Sequence, residues 1–264
     1  MRVHFLDPYI ERNSLVHRLD ARIKLVLVIA FILTTALTPQ GAWPVYILLL
    51  SIVLAAELIS ELGVQFFFKR ALLAAPFVLA ALPVLLTVPG PVLVHLPFGL
   101  AISTAGLERF FSIAFKSWIS VQMAILLAST TPFPSLLVAM RALRLPRLLV
   151  AIISLMWRYL FVMVDEALRM LRAREARSSL SELPGLKHGG TLAWRAKVTG
   201  GMAGSLFLRS LERSDRIYNA MLARGYDGEV RSLPQPAIRR EEWLALMIGL
   251  LLYASLLALS YGLN

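Results

Sequence analysis

Two short stretches hold the side chains best suited to act on another molecule: Ala176-Arg177-Ser178 and Ala223-Arg224-Gly225. In each, one arginine stands between small residues at the end of a long charged run. Arginine presents a planar fork of N–H donors and can take a carboxylate through paired, charge-assisted hydrogen bonds. Small neighbours let the surrounding backbone approach a second protein closely. Each motif also has a purely local explanation. An arginine in a last helical turn complements the helix dipole, and Gly225 suits a left-handed helix cap. The repetition of the pattern at the ends of two runs favours docking.

Other reactive residue types are sparse. The chain has no cysteine, which excludes disulfides, thiolate metal ligands and cysteine nucleophiles. His4, His17, His95 and His188 are scattered, and no pair has the i, i+4 spacing of a helical metal site. They are expected to be ordinary polar residues, with no cofactor or metal. A glycine-rich phosphate loop is missing, so the chain is not expected to bind ATP itself. No Ser/His/Asp set or paired carboxylates suggest hydrolysis, so it is read as a non-enzyme. Glu57 and Lys116 fall inside apolar stretches, where an ionisable group serves either function or another helix. Asp165 and Glu166 lie among arginines, where helix-spaced pairs such as Asp165–Arg169 explain them.

The elements that carry these residues follow from composition. Of 264 residues, 58% are hydrophobic, against about 45–50% in soluble domains. A bilayer is the natural second apolar solvent. Five stretches approach the roughly 20 apolar residues a spanning helix needs: residues 23–37, 44–62, 71–88, 110–131 and 243–261. Arg22 and Lys24 flank the first and can snorkel to the interface. Pro76 and Pro83 should kink the third, while Trp243 and Tyr261 are placed as interfacial aromatics. The expected fold is an all-α, polytopic helical membrane protein of about five spans with long cytoplasmic helices.

The net charge of +11 sits in alternate loops, as the positive-inside rule requires, so membrane orientation explains it better than nucleic acid. Residues 1–24, the Lys69-Arg70 loop and residues 132–242 are basic and read as cytoplasmic. The loops at 38–44 and 87–105 have no Lys or Arg and read as external. Three regions follow: membrane helices in 1–131, a cytoplasmic region in 132–242, and a last membrane helix in 243–264. No signal peptide is evident at the N-terminus. The apolar stretch 148–164 contains Arg158. A sixth span there would put the following basic residues outside, so a helix at the cytoplasmic interface is preferred. One helix over 147–178 would reach about 45–50 Å. A second, amphipathic helix is expected over 203–224, with Leu206, Phe207, Leu211, Ile217, Tyr218, Met221 and Leu222 on one face. Residues 178–204, with Pro184 and several glycines, read as a loop.

Several blocks together resemble a known family. They are Leu15-Val-His-Arg-Leu-Asp-Ala-Arg-Ile-Lys24, Thr130-Thr-Pro-Phe-Pro134, Arg158-Tyr-Leu-Phe161 with Asp165-Glu-Ala-Leu-Arg169, and the long block from Gly204 through Ala223-Arg224-Gly225 to Gly228. The chain resembles the transmembrane T component of energy-coupling factor (ECF) transporters, most closely the CbiQ branch associated with cobalt and nickel uptake. It departs from the family pattern at Ser178, where glycine is frequent, and at Ala21, where proline is usual. The resemblance implies a coupling subunit in a prokaryotic cytoplasmic membrane. Its partners would be two ABC-type ATPase subunits, a small substrate-binding membrane subunit (S component) and the lipid bilayer, with no nucleic acid. Ala176, Arg177, Ser178, Ala223, Arg224 and Gly225 would be the ATPase contacts. A stand-alone secondary carrier or channel is the alternative, and would call for an inverted repeat; none is visible. An intramembrane enzyme or a membrane scaffold are further possibilities.

Overall fold

The computed structural model describes residues 8–72, 75–95, 101–177, 191–227 and 237–262. The chain forms two compact units, Met1–Leu143 with Gln235–Asn264, and Arg144–Pro234. The first unit opens with α1 (Leu15–Arg18), α2 (Ala21–Leu37), α3 (Trp43–Ile59), α4 (Val64–Ala71), α5 (Ala75–Ala80) and α6 (Val84–Thr87). A two-stranded hairpin follows, β1 (Val92–His95) antiparallel to β2 (Ala101–Ser103), and then α7 (Thr104–Thr130) and α8 (Phe133–Ala142). The second unit is built on α9 (Arg147–Arg177) and α10 (Leu192–Leu222), and α11 (Arg240–Gly262) returns to the first unit. The protein is an all-α membrane protein, its small hairpin lying in the loop that has no Lys or Arg.

Contacts at the helix ends fix the directions within the first unit. The Lys24 ammonium donates to the Thr130 carbonyl at 3.0 Å, and Lys116 donates to the Thr38 carbonyl, so α7 runs antiparallel to α2. The Asp20 amide donates to Glu242 Oε1 at 3.2 Å and the Tyr261 hydroxyl to the Leu37 carbonyl at 3.2 Å, so α11 runs parallel to α2. Trp43 at the start of α3 meets Phe115 of α7, ring centroids 6.0 Å apart. Among the described residues α7, α9 and α11 are long and apolar enough to cross a membrane. The core between the helices holds Phe31, Leu49, Val53, Phe67, Ile119 and Tyr253. Threonine hydroxyls in the helices bond back to carbonyls four residues earlier, as Thr35 does to Phe31 at 2.9 Å, so no partner is needed from lipid. At Gly249 a Cβ would lie 2.6 Å from Leu27 Cδ2, so glycine there lets α11 close on α2.

Three expectations change. The third apolar stretch is not one kinked helix: it is broken into α5 and α6, with Pro76 in the first turn of α5 and Pro83 capping α6. Proline lacks the N–H that would continue the ladder and clashes with the carbonyl four residues back. The second-unit helix begins at Leu192, not near 203, because the Thr191 hydroxyl caps it by accepting the Trp194 amide at 3.3 Å. Lys24, expected to snorkel, is 6% exposed and turned inward.

Candidate partner-docking site

The second unit is a pair of 31-residue helices. Arg209 of α10 reaches Glu166 of α9 at 2.5 Å, and Arg169 grips the same carboxylate at 2.7 Å. Arg174 donates to the Thr199 hydroxyl at 3.4 Å. Moving back along α9 from Arg174 to Glu166 therefore moves forward along α10 from Thr199 to Arg209, and the helices are antiparallel. The carboxylate engaged at the contact is Glu166; Asp165, expected to pair with Arg169, is exposed. The hydrogen bonds from Arg169 and Arg209 hold the Glu166 carboxyl below its ordinary range. Grooves flank this ion pair. Met170, Arg174, Arg177, Trp194 and Met202 line one. Met156, Tyr159, Ile217, Met221 and Tyr226 line the other.

The Arg224 end has a defined geometry. The Tyr226 amide donates to the Met221 carbonyl and the Gly225 amide to the Leu222 carbonyl, each at 3.0 Å. This is the Schellman pattern, which needs a left-handed residue at its C′ position. Gly225 occupies it with φ +79°. Ala223, Arg224 and Gly225 are all exposed, so the arginine projects from a helix end whose backbone groups are satisfied locally. At the other motif Ala176 and Arg177 are exposed in the last turn of α9, and Arg177 also lines a groove against α10. Ser178 lies outside the described residues. Antiparallel packing puts Arg177 and Arg224 at opposite ends of the pair. At 1.5 Å per residue along α10, that separation is about 40 Å.

No residue of α10 is buried. Its flank toward α9 carries Met202, Ser210, Arg213, Ile217 and Met221. A second stripe, Phe207, Leu211, Tyr218 and Leu222, is 47–62% exposed. The apolar face foreseen from the sequence is thus split: one part meets α9 and the other is left uncovered.

The remaining candidates have structural surroundings. Lys116 donates to the carbonyls of Ala36, at 3.3 Å, and Thr38, closing the C-terminal end of α2. Glu57 is fully buried, and neither carboxyl oxygen has a hydrogen-bond partner among the described residues. Of the histidines, His4 and His188 lie outside the described residues and His95 sits in β1. His17 is tied to the Ser14 hydroxyl at 2.7 Å and the Ile10 carbonyl at 3.1 Å. Burial lowers its pKa from the usual 6.5. Among the described residues no three His, Asp or Glu side chains gather as a metal site.

Sequence reasoning overlooked the N-terminal block as a device that joins helices. The Ile10 amide donates to the Ser129 carbonyl at 3.0 Å. Lys24 Nζ bridges the Thr130 carbonyl, at 3.0 Å, and the His17 carbonyl, at 3.4 Å. Asp20 caps α2 through the Arg22 amide at 2.8 Å while its own amide meets Glu242. The segment thereby joins the ends of α2, α7 and α11. The signal was a lysine one turn inside an apolar helix, next to an Asp cap.

Known proteins share this sequence pattern. A family model described as cobalt transport protein, CbiQ, matches residues 12–236. The energy-coupling factor transporter transmembrane protein EcfT of Listeria innocua is 30% identical over 86% of each chain. Its counterpart from Lactococcus lactis is 29% identical over the same shares. The cobalt transport protein CbiQ of Salmonella typhimurium is 29% identical over 50% of this chain and 55% of that one. The match covers the N-terminal block from Arg12 onward, all the spans up to α8, and both arginine-bearing helices, and on that breadth the chain belongs to the CbiQ family of cobalt transport proteins.

Proposed function

We propose that this chain is the coupling subunit of an energy-coupling factor importer, in which Arg177 and Arg224 dock two ABC-type ATPase subunits. The observation that carries the reading is the antiparallel pair of α9 and α10. It offers two exposed arginine-bearing helix ends about 40 Å apart, far enough for each to meet a separate ATPase. A carboxylate-lined groove on each ATPase would receive the arginine in charge-assisted hydrogen bonds.

The uncovered stripe of Phe207, Leu211, Tyr218 and Leu222 supports an apolar contact with the substrate-binding membrane subunit. ATP-driven movement of the two ATPases would shift α9 and α10 and, through that contact, tilt the substrate-binding subunit. The substrate is cobalt or nickel, in keeping with the family, and recognition of the ion belongs to the partner. The charge pattern supports a cytoplasmic N-terminus, membrane helices in 1–131 and 243–264, and a cytoplasmic region in 132–242 with α9 at the interface, in a prokaryotic cytoplasmic membrane.

The test is charge reversal. Tagged wild-type chain should copurify with an ATPase pair and a small hydrophobic subunit, and Arg177→Glu or Arg224→Glu should weaken ATPase retention and uptake while the chain still inserts. Truncating one partner of a buried charge pair costs about 2–5 kcal/mol, so the loss should be severe. Full ATPase retention by both variants would overturn the proposal.

A further inference from the structure

In the first unit α3 and α7 share a seam. The Gly41 amide, just before α3, donates to Ser112 Oγ at 3.3 Å, and Trp43 meets Phe115. Ser112 and Phe115 begin a stripe on α7 that continues through Ile119, Gln122, Leu126 and Ser129 at alternating steps of three and four, so this stripe faces α3. On α3 the buried stripe is Tyr46, Leu49, Val53 and Glu57. Leu49 and Val53 belong to one core with Ile119 and Leu126. Residues 38–42 are the whole connection between α2 and α3, a length that joins antiparallel neighbours. Because α7 also runs antiparallel to α2, α3 and α7 are parallel. Fourteen residues separate Trp43 from Glu57, and fourteen separate Phe115 from Ser129. That is about 21 Å along each helix, so Glu57 and Ser129 stand at one level of the seam.

This level concentrates unmet polar groups. Among the described residues, the buried side-chain atoms without a hydrogen-bond partner are Glu57 Oε1 and Oε2, Gln122 Oε1, Ser129 Oγ and Thr131 Oγ1. Every one is an oxygen. Glu57, Ser129 and Thr131 bring four of them to the ends of α3 and α7, while Gln122 stands two turns further up the same stripe. All three residues are at most 2% exposed. No hydrogen bond joins these oxygens to one another, so they need something from outside their own set. A buried carboxylate is costly without a counter-charge. Lys24 does not supply it: its ammonium bonds to the Thr130 and His17 carbonyls, and neither Glu57 oxygen has a partner. α3 ends at Ile59 and α7 at Thr130, so the negative ends of two helix dipoles also lie here.

We infer that the lower end of the α3–α7 seam binds a monovalent alkali cation, with the Glu57 carboxylate as its counter-charge and the Ser129 and Thr131 hydroxyls as neutral ligands. The chemistry of the set selects the ion. Carboxylate and hydroxyl oxygens are hard ligands and suit a hard cation, whereas soft and borderline metals favour sulfur and imidazole. One carboxylate balances one positive charge; a divalent ion would leave a net charge in the core. The N-terminal block closes the site, because the Ile10 amide bonds to the Ser129 carbonyl at 3.0 Å. A bound cation would thus lock α3 to α7 beneath that block.

Thermal melting reads the site, since a ligand that binds only the folded state raises the melting temperature as its concentration rises. The full chain, with any subunits that copurify, is exchanged in detergent into N-methylglucamine chloride. Sodium or potassium chloride is then titrated in at constant ionic strength. We expect the wild-type melting temperature to climb with at least one of the two alkali ions and to stay flat in N-methylglucamine alone. Glu57→Gln keeps the shape and removes the charge, so it should melt at one temperature in every solution. Ser129→Ala keeps the carboxylate and removes one ligand; it should raise the half-saturating concentration on the order of tenfold. Equal melting of the wild type in all three salts would overturn the inference, leaving the oxygens to water or to a protonated carboxyl. An ion dependence that Glu57→Gln keeps in full would overturn it as well, because the ion would then act elsewhere. Should Glu57→Gln fail to fold, Ser129→Ala decides: an unchanged half-saturating concentration would contradict the site.

Discussion

Replacing Gly225 tests how Arg224 is held. Gly225 has φ +79°, and a Cβ there would meet nothing within 4 Å. The penalty for alanine is therefore conformational: about 1–2 kcal/mol for an L-residue in the left-handed region. The helix end can escape it only by giving up the Tyr226–Met221 and Gly225–Leu222 hydrogen bonds, each worth about 0.5–1.5 kcal/mol net. Either route costs about the same, so Gly225→Ala should weaken the docking-competent end by about 1–2 kcal/mol, a factor of roughly 5–30 in population. Asparagine visits the left-handed region more readily and should lose less; a β-branched valine should lose most. Because the site is exposed and no core side chain rests on it, thermal unfolding of the whole chain should barely move. The assay is a titration of the purified ATPase subunits against each variant in detergent, alongside a melting curve. The expected affinity order is Gly, Asn, Ala, Val. If Ala binds as tightly as Gly while Arg224→Glu does not bind, the left-handed cap does not hold Arg224 and the reasoning fails.

Two further outcomes are expected at the N-terminal block. Lys24→Met should leave the Thr130 and His17 carbonyls without their donor, costing about 1–3 kcal/mol; a melting temperature equal to wild type would show that the bridge contributes nothing. Acidification should loosen the same segment through His17. Burial lowers its folded pKa below the unfolded value, so its contribution is present above the unfolded value and is lost as pH falls through the folded one. Hydrogen exchange of residues 10–18 should accelerate as pH is lowered below about 6.5, after correction for intrinsic rates, and His17→Phe should remove that pH step.

Much of the fold could be read because lipid imposes a simple rule on sequence. Apolar runs near the required length became α2, α3, α7 and α11, and Ala176 and Arg177 of the first arginine motif lie at the end of the described part of α9. Gly225 announced its cap, since few other residues accept that backbone conformation. Legibility failed where the outcome depends on long-range partners. Pro76 and Pro83 signalled a disturbance, but kink or break depends on whether neighbours restore the lost bonds. Thr191 was read as part of a loop because the glycines after it (Gly200, Gly201 and Gly204) look like turn residues, yet the helix tolerates them. Lys24 looked like an interfacial lysine; only the third dimension brings the carbonyl end of α7 to it. That α9 and α10 lie antiparallel, placing the two arginines at opposite ends, rests on Glu166 and Arg209, 43 residues apart in the chain.

The natural absence of cysteine allows a direct measurement on the coupling proposal. Ala176→Cys and Ala223→Cys each place one thiol beside a motif arginine without removing it. Each variant, assembled with its copurifying subunits, is treated with a short amine-reactive maleimide crosslinker and resolved by mass. We predict that each cysteine captures an ATPase subunit, and that the double variant captures two on one chain. Capture of no ATPase at either position, from chains that still support uptake, would contradict the docking of Arg177 and Arg224.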